Sequence, residues 1–528
     1  MPTLTSLPLD IQQHIISYLI SIRDVAALST QNKALHRLCD MEMRHMYHSA
    51  KIEGNSGSLD IAFDLLLDIL RRPALGHYIR HIEVRGREPR RLQYTEREPQ
   101  RELSVEDTQL LRNAIRKAGF PEEEESRILN MVLQRMDYKG VKFGTITQRR
   151  NMDLVFVPQA LGALMVSVSP FLESLAMAPM GQHYYTYPGM RPAPKVHYPL
   201  DELLRSVNSN PAKHFQYLQN LRSVYIINHP DDMFHDTRFY TSMDFFTPIS
   251  TICHLPSIES VGTDVLEEDP NGLSSLEPKS SDIAKLAVHH SSVSSSYLVS
   301  LICSCKALKD FGYSVGGRAS NDGGRPLFSP KRIIQSLLYH KETLEILDLD
   351  VDSYIFAFSQ HVNEADELRV NDRYDSMDDE GTGRTPPSTL AQQKGSLRDF
   401  AALKRLSIGA GFLFYFARGM GEAANPNPNP DDNSDSDPES RFSLIDHLPP
   451  NLEHLCIRGY KEGEFPHRDP AIEELVEAIK PGGLELELTG VFETIPNADN
   501  VEDPDGQPHL LWRPGKEVSE GETDDEEE

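Results

Sequence analysis

The sequence predicts an α/β protein: a short N-terminal unit of three helices, then a long solenoid of strand-helix units. Three observations predict it. A short frame, apolar at positions one, four and six, recurs from Ile79 to Leu488. Runs of helical period stand before nearly every copy of the frame. The first fifty residues carry more apolar surface than three short helices can hide among themselves, because so small a unit buries a poor fraction of its surface.

The N-terminal unit starts at Leu7-Pro8-Leu9-Asp10-Ile11. Pro8 presets φ where an N–H would be orphaned anyway, and Asp10 sets a negative charge in the positive first turn of a helix. Ile11, Ile15, Leu19 and Ile22 recur at three- and four-residue steps, and Ile16, Tyr18 and Ile20 widen the apolar face beyond one stripe. Asp24 is an N-cap for a second helix running through Leu28. Lys33 to Tyr47 reads as a third, with Leu35, Leu38 and Met41 along one side. The apolar excess must meet a partner or the rest of the chain.

This order, Leu-Pro-x-Asp-Ile, then Ile15, Tyr18-Leu19, Asp24-Val25, Leu28, Lys33-x-Leu35-x-x-Leu38 and Tyr47, resembles the F-box motif. Leu35 stands where that family usually has tryptophan, and Asn32 where it often has cysteine. The resemblance covers residues 1–50 and implies a module that docks on the Skp-type adaptor of a cullin-RING ubiquitin ligase. Leu7, Pro8, Ile11, Ile15, Leu19, Val25 and Leu28 would then face that adaptor or shape the face that does.

The frame is carried by Ile79, Ile82, Val84; Leu172, Leu175, Met177; Leu221, Val224, Ile226; and Ile283, Leu286, Val288. It continues through Leu308, Phe311, Tyr313; Leu344, Leu347, Leu349; Leu403, Leu406, Ile408; and Leu452, Leu455, Ile457. Ile258 and Val261 form a truncated copy, and Leu484, Leu486, Leu488 a looser last one. Spacings of about 25 to 37 residues between uninterrupted copies suit stacked units that cannot bury an apolar face alone. The pattern over residues 59–490 resembles irregular leucine-rich repeats in architecture, without the asparagine that regular repeats place after the strand. Joined to the N-terminal unit, it resembles F-box substrate adaptors of the fungal type. A helical insertion is expected at about 86–150, with helices from Leu110 to Ala118 and from Glu122 to Met136. Disordered loops are expected at about 362–396 and 421–441, a Tyr-rich covering loop at 177–199, and an acidic disordered tail at 496–528.

Alternate strand residues oppose, so the side chains between the apolar positions point to the other face. They include His81, Glu83, Arg85, Tyr225, Asp310, Asp348, Asp350, Arg405, Ser407, His454 and Arg458, which are the candidate contacts for an unknown protein substrate.

Composition bounds the partners. The 528 residues carry a formal charge of −27, but the stretches 363–384, 422–441 and 493–528 account for −21 of it. The remainder is only mildly acidic, with no basic surface to recommend nucleic acid. Five cysteines, an odd and sparse set, argue against a disulfide framework for a chain of this length and suit a reducing compartment. No signal-like or bilayer-length apolar run is present, so no membrane is expected and cytoplasm or nucleus are both open.

Motifs for chemistry are few. Gly312-Tyr313-Ser314-Val315-Gly316 fits the spacing of a nucleophile elbow, but no helical run follows it and no oxyanion segment precedes it. His229 to Asp236 is dense in possible metal ligands at no helical spacing, and reads as a polar loop. Cys303 and Cys305 are too close for a zinc knuckle and read as core. The glycine pairs at 316 and 323 do not make a phosphate loop. Ser519 and Thr523 precede acids and could serve an acidophilic kinase. No catalytic, cofactor-binding or metal-binding residue is assigned. The expected function is a non-catalytic adaptor whose N-terminal unit recruits the ligase and whose repeats hold a protein substrate. The alternatives are a repeat scaffold acting outside a ligase and, from another class, a serine hydrolase using Ser314.

Overall fold

The computed structural model describes Leu4, Leu7, Pro8, Ile11, Gln12, Ile15, Ile16 and Leu19, then residues 22–53, 56–85, 100–135, 156–178, 198–210, 215–228, 239–268, 276–315, 318–320, 328–355, 389–418, 443–464, 466, 468–479 and 484–490. The strands are β1 (Ser49–Ile52), β2 (His81–Val84), β3 (Ser174–Met177), β4 (Ser223–Ile226), β5 (Thr241–Met243), β6 (Ser260–Asp264), β7 (Leu266–Glu268), β8 (Lys285–His289), β9 (Asp310–Ser314), β10 (Ile346–Asp350), β11 (Arg405–Gly409), β12 (His454–Arg458) and β13 (Glu485–Thr489). All but β5 and β7 join one eleven-stranded parallel sheet in chain order. β5 and β7 pair separately.

Parallel neighbours need crossovers, and helices supply most of them. Ser56–Arg71, Phe156–Ser167, Pro199–Asn208, Ser295–Ser304, Pro330–Leu338, Ala410–Arg418 and Asp469–Ile479 each lie between two consecutive strands of the sheet. Serines set several of their starts. The hydroxyl of Ser294 accepts the Tyr297 amide, and that of Ser329 accepts the Arg332 amide.

The recurring frame has a direct structural meaning. Its fourth-position residues, Ile82, Leu175, Val224, Val261, Leu286, Phe311, Leu347, Leu406 and Leu455, are consecutive partners across the sheet. All are buried in one apolar core with the inner sides of the crossover helices. The first-position residues, such as Leu172, Leu308 and Leu344, turn into the same core just before each strand. Two copies are fuller than expected. Tyr47, Ala50 and Ile52 make a further copy ahead of the first expected one, ending in β1. In the truncated copy Thr263 fills the sixth slot, fully buried, its hydroxyl donating to the Ile226 carbonyl at 2.9 Å.

The insertion is part of the core. Its helices are Val105–Lys117 and Glu122–Val132, and Leu111, Ile115, Ile128 and Val132 join the common apolar cluster. The second stops short of Met136 because the Leu133 carbonyl is taken by the amides of Gln100 and Arg101, both at 3.0 Å. The loop expected at 362–396 is also corrected at its end. Leu390–Gln392 is a 3-10 turn, and Leu390 is a core residue. The rest of that loop, the loop at 421–441, the Tyr-rich stretch from Pro179 to His197 and the acidic tail lie outside the described residues.

A buried carboxylate ties three late segments together. Asp352, just past β10, accepts the amides of Gly411 and Phe412 at 2.6 and 3.2 Å, capping helix Ala410–Arg418. Gly409 permits the approach, since a Cβ there would lie 2.3 Å from the Asp352 carboxyl carbon. Burial pushes this carboxyl up to about 7, and the Asp350 charge adds to the shift; Arg468 and the two amides pull the other way. Its ordinary value is 3.8. The folded state therefore holds the proton that the unfolded chain releases first, and the stability linked to it is full below about pH 4 and lost as pH rises through about 7. Relative to Asp352→Asn, which cannot titrate, the native chain should lose up to about 4 kcal/mol across that window. Urea unfolding of both chains at pH 4, 5.5 and 7 measures it; parallel curves would contradict the assignment.

Candidate functional site

Two surfaces hold the residues singled out from the sequence. The first is the N-terminal unit. Its helices Ile22–Ser29, Lys33–Cys39 and Met41–Met46 close a small core of Ile16, Val25 and Cys39, with Leu19, Leu28, Leu38 and Met41 packed half-buried against it. Ile11 and Ile15 point the other way, 42% and 39% exposed. They are one helical turn apart, so they share a face, whereas Ile16 is rotated inward. Pro8 is exposed and Leu7 half-buried. The Leu7 carbonyl accepts the Gln12 side-chain amide at 2.5 Å, and the Pro8 carbonyl accepts the Gln12 backbone amide at 3.0 Å. These bonds fold the entry segment onto the helix start.

The expected docking set therefore divides. Pro8, Ile11 and Ile15 are accessible, Leu7, Leu19 and Leu28 partly so, and Val25, 1% exposed, is a core residue that shapes the face without reaching it. Asn32 caps helix Lys33–Cys39 through the Leu35 amide at 2.9 Å, which accounts for asparagine at that position. The unit is held to the sheet through Arg44. Its guanidinium lies 4.9 Å over the Tyr78 ring and donates to the Cys39 carbonyl at 2.7 Å.

The second surface is the sheet face away from the crossover helices. Register and alternation place His81, Glu83, Arg85, Tyr225, Asp310, Asp348, Asp350, Arg405, Ser407, His454 and Arg458 on it. They are not equally available. Arg405 is exposed; Arg85, Asp310, Asp348, Ser407, His454 and Arg458 are half-buried. Arg458 and Asp348 form an ion pair reaching past the intervening β11.

Four residues on the same face are corrected to interior positions: His81, Glu83, Tyr225 and Asp350, all buried. Alternation decides which face a side chain takes, and neighbours decide whether it meets water. The His81 ring packs edge-on against His48 at 4.7 Å and lies 2.6 Å from the Ser174 hydroxyl through Nδ1. Burial, with the charges of His48 and Arg80, pushes this imidazole down to about 3, so it stays neutral at ordinary pH. Glu83 pairs with Arg85 beside it. Tyr225 clusters with Ala176 and Ile227, its ring against Gly262, where a Cβ would come within 3.3 Å. Burial pushes the Tyr225 phenol well above its ordinary value, and its hydroxyl has no hydrogen-bond partner among the described residues.

Ser314 ends β9 with no exposed surface. Its hydroxyl accepts the His290 amide at 3.0 Å and lies 3.2 Å from His289 Nδ1. Asp264 meets His290 instead, 3.1 Å from its Nδ1. The histidine on the serine is thus not the one on the aspartate, and among the described residues no helix begins at the turn as a nucleophile elbow requires. The sequence reading passed over Asp264, His289 and His290. Asp264 and His289 stand at position seven of their frames, with the parity of Arg85, Asp350 and Arg458, and that parity was the signal that could have found them; His290 follows β8 in a left-handed turn at φ 45°, which no strand pattern marks. Cys303 and Cys305 are both buried, which pushes their thiols up to about 12. His229 to Asp236 lies outside the described residues. Among the described residues no three His, Cys, Asp or Glu side chains gather as a metal site, and no helix is long and apolar enough to cross a membrane.

No protein-family model matches the chain, and no match to it is found among curated proteins.

Two substitutions separate core from surface. Ile16→Ala should cost the N-terminal unit about 2–5 kcal/mol, seen as faster amide exchange over residues 22–46, while Ile11→Ala should stay within about 0.5 kcal/mol. Tyr225→Phe removes a buried hydroxyl without a partner among the described residues and should leave stability unchanged or raise it by about 1 kcal/mol. A clear fall in melting temperature would show that the hydroxyl has a partner.

Proposed function

We propose that this chain is a non-catalytic substrate adaptor. In this reading residues 1–50 act as an F-box docking on the Skp-type adaptor of a cullin-RING ubiquitin ligase. The sheet and its crossovers form an irregular leucine-rich-repeat-like solenoid that presents a protein substrate, in cytoplasm or nucleus, and catalysis belongs to partner subunits.

The observation that carries this reading is the division of the isoleucines. Ile16 closes the small core with Val25, and Ile11 and Ile15 stay exposed one turn apart beside Pro8. An exposed apolar pair on a unit this small is the feature expected of a docking face. The chain-ordered parallel sheet supports the other half of the reading. It sets Asp310, Asp348, Arg405, Ser407, His454 and Arg458 on one face, a mixed-charge surface suited to a polar protein ligand. The hydrolase alternative has the buried, amide-bound hydroxyl of Ser314 against it.

Co-expression with a Skp-type adaptor tests the reading. The native chain should copurify with it. Ile11→Asp and Ile15→Asp should each weaken the complex by about 2 kcal/mol or more, a loss of tenfold or greater. Arg405→Glu, far along the sheet, should leave it intact. A native chain that does not bind the adaptor would remove the F-box reading, leaving a scaffold that acts outside a ligase.

A further inference from the structure

The two ends of the sheet are finished differently. At the first end β1 is preceded by the N-terminal helices, and Tyr47, Ala50 and Ile52 are all buried. At the last end the apolar rows open. Leu486 is half-buried where every earlier member of its row is enclosed, and Leu488 is 39% exposed. Val476 and Ile479 of helix Asp469–Ile479, and Leu484 after it, are likewise only partly covered. Among the described residues β13 pairs with β12 alone, so its outer edge is open. Stacked units need a terminal cap, and an open apolar edge invites pairing with other chains. The opposite face of β13 carries Glu485 and Glu487, both exposed.

The chain continues past this edge. Residues 491–528 lie outside the described residues, and their sequence is acidic on balance, with one exception. Leu510 and Leu511 precede Trp512, the only tryptophan of the chain, and Arg513 and Lys516 are the only Lys or Arg among residues 493–528. One stretch thus combines the tail's densest apolar cluster with its basic side chains. It is within reach: some twenty residues separate Thr489 from Leu510, and they span up to about 66 Å when extended, against roughly 17 Å for a five-residue strand.

We propose that Leu510, Leu511 and Trp512 fold back as the cap of this open end, covering Leu486 and Leu488, with Arg513 and Lys516 set against Glu485 and Glu487. A segment laid along a strand edge reaches both faces, because strand side chains alternate. Charge selects this occupant over the acidic remainder of the tail, which Glu485 and Glu487 repel. It also disfavours a second copy of the chain, since pairing two β13 edges would bring four glutamates together. Trp512 supplies a large contact area at little entropic cost. The proposal is independent of the adaptor reading.

The single tryptophan makes the test direct. In the full-length chain Trp512 emission should be blue-shifted from its position in urea and weakly quenched by acrylamide. Leu488→Asp should return emission and quenching to the unfolded values with the far-ultraviolet dichroism unchanged. Glu487→Lys and Arg513→Glu should each reduce the shift, and the two together should restore it. Native emission already at the unfolded position would overturn the proposal. So would a blue shift that survives Leu488→Asp, or one that disappears on dilution together with a dimer seen by light scattering, which would make a second copy the occupant.

Discussion

Each turn that enters a strand passes its backbone to the next through a single carbonyl, and the register of the whole sheet depends on that hand-over. The Arg80 carbonyl accepts the amides of Glu173 and Ser174, and the Glu173 carbonyl those of Arg222 and Ser223. The series runs on through Arg222, Glu259, Ala284, Lys309, Glu345 and Lys404, with distances such as 2.7 and 3.0 Å at Lys309, and ends at Glu453, whose carbonyl accepts the Glu485 amide. Two amides on one carbonyl leave no freedom to slip by a residue, and a slip of one would turn every side chain to the wrong face. The residues at these hand-over points alternate in sign: Arg80, Glu173, Arg222, Glu259, then after Ala284 Lys309, Glu345, Lys404, Glu453. Neighbouring strands lie about 4.8 Å apart, so opposite charges meet, as in the Arg80–Glu173 pair at 3.0 Å and the Lys404–Glu345 pair at 3.7 Å. A shifted partner would set like charges together.

That register makes the two faces of the sheet different materials. One face belongs to the core and is apolar from β1 to β12 save for Thr263. The other mixes charged, polar and small residues, and its availability varies along the sheet. Toward the early strands His48, Ser174 and Ala176 close over His81 and Tyr225. Toward β10–β12 Arg405, Ser407 and His454 remain open to contact. The N-terminal unit is coupled to this body by β1 and by Arg44 on Tyr78, so its exposed isoleucines sit on a framework continuous with the sheet.

The frame was legible because a buried strand leaves a period in the residues themselves. Leu344, Leu347 and Leu349 can be read as core without knowing what they touch. Thr263 could not, because a hydroxyl in an apolar slot becomes acceptable only once the Ile226 carbonyl receives it. Nor could the copy at Tyr47, Ala50 and Ile52, where a small alanine hides among helical residues. The insertion was legible as two helices, but the period that marks Leu111 and Ile128 as apolar does not say which core receives them. The residues expected to dock show the same limit: Ile11, Ile15 and Val25 look alike in sequence and differ in exposure because only one of them is enclosed by its neighbours.

The sequence by itself determined the alternation of strand and helix, the apolar rows and the face that each strand side chain takes, since these follow from local periods of two and about 3.6 residues. Tertiary structure alone decided that all eleven strands share one sheet in chain order, that His81, Glu83, Tyr225 and Asp350 are withdrawn from water, and that Asp352 caps a helix nearly sixty residues further on. Burial and long-range hydrogen bonding are properties of neighbours distant along the chain, and a local pattern carries no record of which distant residue will arrive.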